Sequence, residues 1–163
     1  MQLRPEILRS TSVTTRPPRP GDQPGRDRLC VGLEEFDRMK AEGAFLETAN
    51  VHGNWYGTPR APVEVALEDS KTMLLEIDVQ GARAVRAAMP DALLIFVEPP
   101  SPEALRARLT GRGTDEEQVI ERRLSDSAGE LAAAAGFDHR VVNDDVEKAV
   151  GEVIRILEGT PGA

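Results

Sequence analysis

Three short apolar segments, each closed by polar residues and followed by a helix-start signal, constrain the fold of this chain more than any other feature. Thr72 to Asp78 (Thr-Met-Leu-Leu-Glu-Ile-Asp), Leu93 to Val97 and Arg140 to Val142 read as buried strands, since short apolar runs bounded by turn signals suit a sheet covered on both faces. Ser101, Pro102 and Glu103 supply an N-cap, a proline in the first turn and an early acid, and predict a helix through about Leu109. Thr114 and Glu117 have capping-box spacing and predict a helix over roughly 115–134. Val146, Ala149, Val150, Val153, Ile154 and Leu157 recur at spacings of three and four and predict a final helix with one apolar face. Strands that alternate with helices imply an α/β fold with a mainly parallel sheet, whose ligands sit at the carboxyl ends of the strands. Asp78 and Asn143 lie at two such ends. Between Gly25 and Pro59 the pattern changes to a short helix from Glu34 to about Glu42, then loop-like or extended segments around Gly53-Asn54-Trp55-Tyr56-Gly57-Thr58. This is read as a small insertion over the sheet edge.

The 163 residues suit one domain, and 40% hydrophobic with 29% charged residues is the balance of an ordinary globular protein. The longest apolar run, Ala92 to Val97, is far short of the about 18 residues that span a bilayer, and the opening residues carry no apolar signal core. With Cys30 the single cysteine, no internal disulfide or cysteine-clustered zinc site is available. The expectation is a cytoplasmic protein without a membrane partner. A net charge of -8 argues against nucleic acid as a partner. The basic residues are 17 Arg and 3 Lys; coding composition accounts for most of that skew, and guanidinium forks for phosphate or carboxylate for the rest.

Four constellations carry possible chemistry. Ser12-Val13-Thr14-Thr15-Arg16-Pro17-Pro18-Arg19 places two guanidiniums on a proline-stiffened turn, fit to hold one phosphate, although two solvated loop arginines is the plainer reading. Glu47, Tyr56 and Thr58 offer a carboxylate, a phenol and a hydroxyl, and a carboxylate can accept from the N1–H and exocyclic amine of guanine, where adenine shows an acceptor at N1. Glu76 and Asp78 end an apolar strand, where carboxylates reach substrate or a Mg2+ shell but also cap helices. Arg108-Leu109-Thr110-Gly111-Arg112-Gly113-Thr114, with Arg122 and Arg123 beyond, reads either as a glycine-hinged lid of cations or as helix arginines paired with Glu116, Glu117 or Glu121.

In this order and spacing SVTTRPPRPGD, HGNWYGTPR, LLEIDVQGAR, LTGRGT and VVNDD resemble guanylate kinase, over about residues 4–158. The resemblance implies transfer of the γ-phosphoryl group of ATP to GMP with Mg2+. It also implies one domain over 1–163, with a P-loop-kinase-type parallel sheet and flanking helices, a GMP-binding insertion at about 25–66 and an Arg-rich lid at about 108–128. Carried over by position, Ser12, Arg16, Arg19 and Tyr56 hold the GMP phosphate, while Glu47, Thr58 and Glu76 read guanine. Asp78 lies near the phosphates and touches the metal only through water. Arg108, Arg112 and Arg123 are catalytic cations, and Arg112 and Asn143 belong to the ATP side.

The family opens with a strand, a G-x-x-x-x-G-K-[ST] phosphate loop and a helix; here the three lysines follow Met39, Ser70 and Glu147. Residues 1–9 resemble the tail of that helix. The expectation is an incomplete sheet, with a GMP-recognising acceptor half from Ser12 to Asp78 beside an incomplete ATP half. Arg28 stands where the family carries a tyrosine on the GMP phosphate, and arginine can serve the same anion. Two alternatives stay open: a non-catalytic GMP-binding or protein-interaction module, and an incomplete chain of an active enzyme.

Overall fold

The computed structural model describes residues 4, 6–18, 22–23, 25, 28–111 and 117–159. They group into two compact units, residues 1–92 and 93–163.

The first unit is built on a four-stranded mixed sheet. β2 (Ser12–Thr14) pairs in parallel with β3 (Arg28–Cys30) and antiparallel with β5 (Asn54–Pro59), which pairs antiparallel with β4 (Phe45–Val51). The segment expected to be loop-like or extended is therefore a hairpin. Its two-residue turn, His52-Gly53, has φ of 51° and 85°, the left-handed pair whose twist suits a tight hairpin. β1 (Ile7–Arg9) pairs in parallel with β6 (Thr72–Leu74) in a separate two-stranded ladder. Ile7–Arg9 is thus a strand and not the tail of a helix, because its backbone groups are satisfied across the ladder to β6. The expected strand over Thr72–Asp78 stops at Leu74, and Asp78 instead caps the next helix.

Three helices pack on this framework: α1 (Leu33–Ala41), α2 (Arg60–Glu68), which sequence reasoning missed, and α3 (Val79–Ala88). Phe36 of α1 is 0% exposed and clusters with Val13 and Phe45. Its ring stacks on Phe45 at 4.8 Å and lies 6.1 Å from Trp55. A second cluster joins Leu46 to Val63 of α2 and Val85 of α3. Phe45 and Leu46 are neighbours yet enter different clusters, as the alternation of a strand requires.

The second unit repeats the strand–helix–strand plan. β7 (Ile95–Glu98) is followed by α4 (Pro102–Gly111), α5 (Glu117–Ala133) and a 3-10 turn (Ala134–Gly136), then by β8 (His139–Val142), parallel to β7. α6 (Val146–Leu157) starts at Asp145, whose side chain accepts from the Lys148 amide at 2.9 Å. Phe96 and Phe137 meet edge-to-face at 5.2 Å. Expected and observed elements agree here within a few residues. The capping residue Thr114 lies outside the described residues.

Removing a fully buried aromatic from a core this small leaves a cavity. Phe36→Ala should cost about 3–5 kcal/mol in urea unfolding of the chain; a loss below about 1 kcal/mol would mean that the cluster closes over the gap.

Candidate functional site

The β4–β5 register sets Glu47 opposite Thr58, and both are buried, at 6% and 1% exposure. The Thr58 hydroxyl donates to Glu47 Oε1 at 2.6 Å. A register shift between Phe45 and Glu47 marks a bulge in β4, a device that re-aims side chains beside functional sites. Burial pushes the Glu47 carboxyl above the ordinary range, the Thr58 hydrogen bond opposes that shift, and the charge of Asp78 adds to it. The net effect is a carboxyl group whose charged form is disfavoured by burial.

Tyr56 lies two residues before Thr58 on β5, hence on the same face roughly 7 Å away. Two guanidiniums meet at its ring: Arg28 lies over the face at 5.4 Å, and Arg16 interacts with the phenol. Arg16 Nη2 also donates to Asp22 Oδ2 at 2.9 Å. Burial acts to lower the Arg16 pKa, but the bond to Asp22 and the charges of Tyr56 and Asp22 outweigh it, so the net shift is upward. Thr14 explains where Arg16 stands. Fully buried, its hydroxyl donates to the Trp55 carbonyl at 2.8 Å and accepts from the Arg16 amide at 3.1 Å. Ser12 is buried on β2 opposite Arg28 of β3.

The structure thus brings Ser12, Glu47, Tyr56 and Thr58 onto one sheet, with Arg16 two residues beyond the end of β2 and in contact with Tyr56, while Arg19 lies outside the described residues. Asp78 lies close enough to influence Glu47, yet both its oxygens are engaged, Oδ1 by the Gly81 amide at 2.8 Å and Oδ2 by Gln80 Nε2 at 3.0 Å. Glu76 is exposed, 3.6 Å from Arg9 Nη1. Among the described residues no three acidic, histidine or cysteine side chains cluster as a metal site, so a Mg2+ ion would depend on nucleotide phosphates and water for most of its ligands. Three residues of the site lie in the quoted motifs but had no role assigned from sequence: Thr14, Asp22 and Gly81. The hydroxyl before Arg16 and a glycine in a helix's first turn were the available signals.

The remaining expected residues belong to the second unit. Arg108 of α4 is exposed and donates to the Asp144 carbonyl at 3.1 Å. Arg123 is half-buried on α5, and Arg112 lies outside the described residues, as do its neighbours through Glu116. Arg106, not among the expected residues, pairs with Glu121 at 2.6 Å and Glu117 at 3.4 Å. Asn143 donates its amide to the Glu98 carbonyl at 2.7 Å, and its side-chain oxygen is buried without a hydrogen bond. Among the described residues no helix is long and apolar enough to cross a membrane.

The guanylate kinase family model matches residues 4–160. The guanylate kinase of Rhodococcus jostii strain RHA1 is 49% identical over 159 residues, which cover 96% of this chain and 77% of that protein. That of Leifsonia xyli subsp. xyli is 53% identical over 158 residues, covering 96% of this chain and 62% of the other. The crystal structure of guanylate kinase from Anaplasma phagocytophilum superposes with a TM-score of 0.84 at 35% identity, over 97% of this chain and 78% of that one.

The buried carboxylate has a consequence for stability. Folded Glu47 keeps its proton to a higher pH than an unfolded chain does, so the folded state binds more protons between the ordinary carboxylate range and the raised value. Stability falls as pH rises through that window, and above it the whole cost of the buried charge is present. Glu47→Gln should therefore melt higher than the wild type at mildly alkaline pH, with the gap narrowing on acidification. A gap that stays constant with pH would show that Glu47's charge does not strain the fold.

Proposed function

Because this chain belongs to the guanylate kinase family of enzymes, whose general activity is phosphorylation of GMP, we propose that it transfers the γ-phosphoryl group of ATP to GMP, releasing ADP and GDP. The observation that carries this reading is the buried Glu47–Thr58 pair, set on the same hairpin as a phenol flanked by two guanidiniums. Glu47 accepts from the N1–H and exocyclic amine of guanine, with Thr58 fixing one carboxylate oxygen; adenine cannot satisfy it. Ser12, Arg16, Arg19 and Tyr56 hold the GMP phosphate, Arg28 adds a further charge-assisted contact, and Glu76 assists in reading the base.

Phosphoryl transfer demands positioning and neutralisation more than covalent help from the protein. A phosphate oxygen of GMP forms a bond to the γ-phosphorus as the bond from that phosphorus to the β–γ bridging oxygen breaks, and ADP leaves with that oxygen. In this reading Arg108, Arg112 and Arg123 neutralise the charge that develops on the transferring group, and Asn143 and Arg112 serve the ATP side. Mg2+ would accompany ATP and neutralise part of its phosphate charge, and Asp78 would approach it only through water.

The decisive assay follows ADP formation from ATP and GMP by the 163-residue chain, with AMP as the control acceptor. GMP-dependent turnover well above the AMP rate is expected. GMP binding without turnover would instead support the non-catalytic reading, and equal rates with both acceptors would end the proposal. Arg16→Ala should raise the KM for GMP at least about tenfold, since it removes hydrogen bonds to a charged partner. The KM should also rise on acidification before the ordinary carboxylate range is reached, because protonated Glu47 loses acceptor capacity and its pKa lies above that range.

A further inference from the structure

Glycine is a poor helix former, so Gly81 in the first turn of α3 calls for a reason. Among the described glycines, two have no room for a Cβ. At Gly57 it would stand 2.7 Å from the Phe45 ring, and at Gly81 it would stand 2.8 Å from Glu47 Oε2 and 3.1 Å from Ile77 Cβ. The first is a matter of core packing, whereas the second concerns a carboxylate that the core does not need. Glu47 is held on its other oxygen by Thr58 at 2.6 Å. The Gly81 amide is itself bonded to Asp78 Oδ1 at 2.8 Å, which fixes the backbone that Glu47 approaches.

The geometry points to Gly81 as a positioning residue for guanine recognition: its missing side chain forms the seat that sets the direction of the Glu47 carboxylate. The inference rests on Glu47 being the guanine acceptor. The bulge between Phe45 and Glu47 belongs to the same arrangement. Leu46 clusters with Val85, Glu47 comes against Gly81, and these partners lie one turn apart on α3. A Cβ at position 81 meets the movable end of a side chain on one side and a fixed Ile77 on the other, so the carboxylate shifts and the helix stays. Recognition suffers more than folding does.

The experiment is calorimetric binding of GMP and of IMP, whose base lacks the exocyclic amine, to the whole chain. Gly81→Ala should weaken GMP at least about tenfold and IMP less, so that discrimination between them shrinks. In a Glu47→Gln background the same substitution should change GMP affinity by less than about twofold, because the group it displaces no longer carries binding. Unchanged GMP affinity in Gly81→Ala, or equal losses in both backgrounds, would overturn the inference. Glu47→Gln alone leaving GMP affinity intact would instead sink the reading of Glu47 as the guanine acceptor. If Gly81→Ala does not fold, Gly81→Ala with Glu47→Ala removes the atom that the new methyl meets. Recovery of a cooperative thermal transition supports the seat, and continued unfolding overturns it.

Discussion

The pairing of β4 with β5 is the constraint on which the buried Glu47–Thr58 pair depends. A slip of one residue would turn Glu47 away from Thr58 and send it to the opposite face of the sheet. Three local features hold the register. The His52-Gly53 turn adopts two positive φ angles, Gly57 leaves space for the Phe45 ring, and the bulge after Phe45 absorbs one residue where the strand changes its facing. The aromatic stack of Phe36, Phe45 and Trp55 then locks one side of the hairpin to α1. Packing energy on that side sustains chemical precision on the other.

Glu47 illustrates what that precision costs. A buried carboxylate whose hydrogen bonds among the described residues come from Thr58 alone, with a second carboxylate nearby, is disfavoured in its charged form, because burial and the Asp78 charge outweigh those bonds. A structure selected for stability alone would place an apolar or amide side chain there. In the proposed reading, the two N–H donors on one edge of guanine offset that burial. On the same reading, the raised pKa of Glu47 and its discrimination between bases are two consequences of the same burial.

What could be read from the sequence follows the range over which each signal acts. Capping residues and apolar spacing are local, and they placed β7, β8 and α4 to α6 within a few residues. β1, β2 and β3 have three residues each and no visible alternation; they are strands because distant partners complete their ladders. Asp78 shows how one residue supports two local readings. As a strand-end carboxylate it points toward a ligand, and as an N-cap it turns to the Gly81 amide, which is where the structure places it. Glu47, Tyr56 and Thr58 were legible as a set through the family resemblance, whereas Thr14, Asp22 and Gly81 act through contacts that spacing does not encode.

The arginine excess resolves along similar lines. Arg38, Arg60 and Arg106 pair with acids on helix surfaces, contacts worth little in water because solvent screens them and long side chains must be ordered. Arg16 and Arg28 are different, since both are half-buried and share one tyrosine. Asp22 offsets the charge of the first, and the aromatic face steadies the second. A chain with net charge -8 therefore still gathers two arginines at one tyrosine, because fields near a surface are set by the nearest charges. Beyond the Debye length of about 8 Å at physiological salt the rest of the acidic surface is largely screened, so the local arrangement of charges outweighs the global sum.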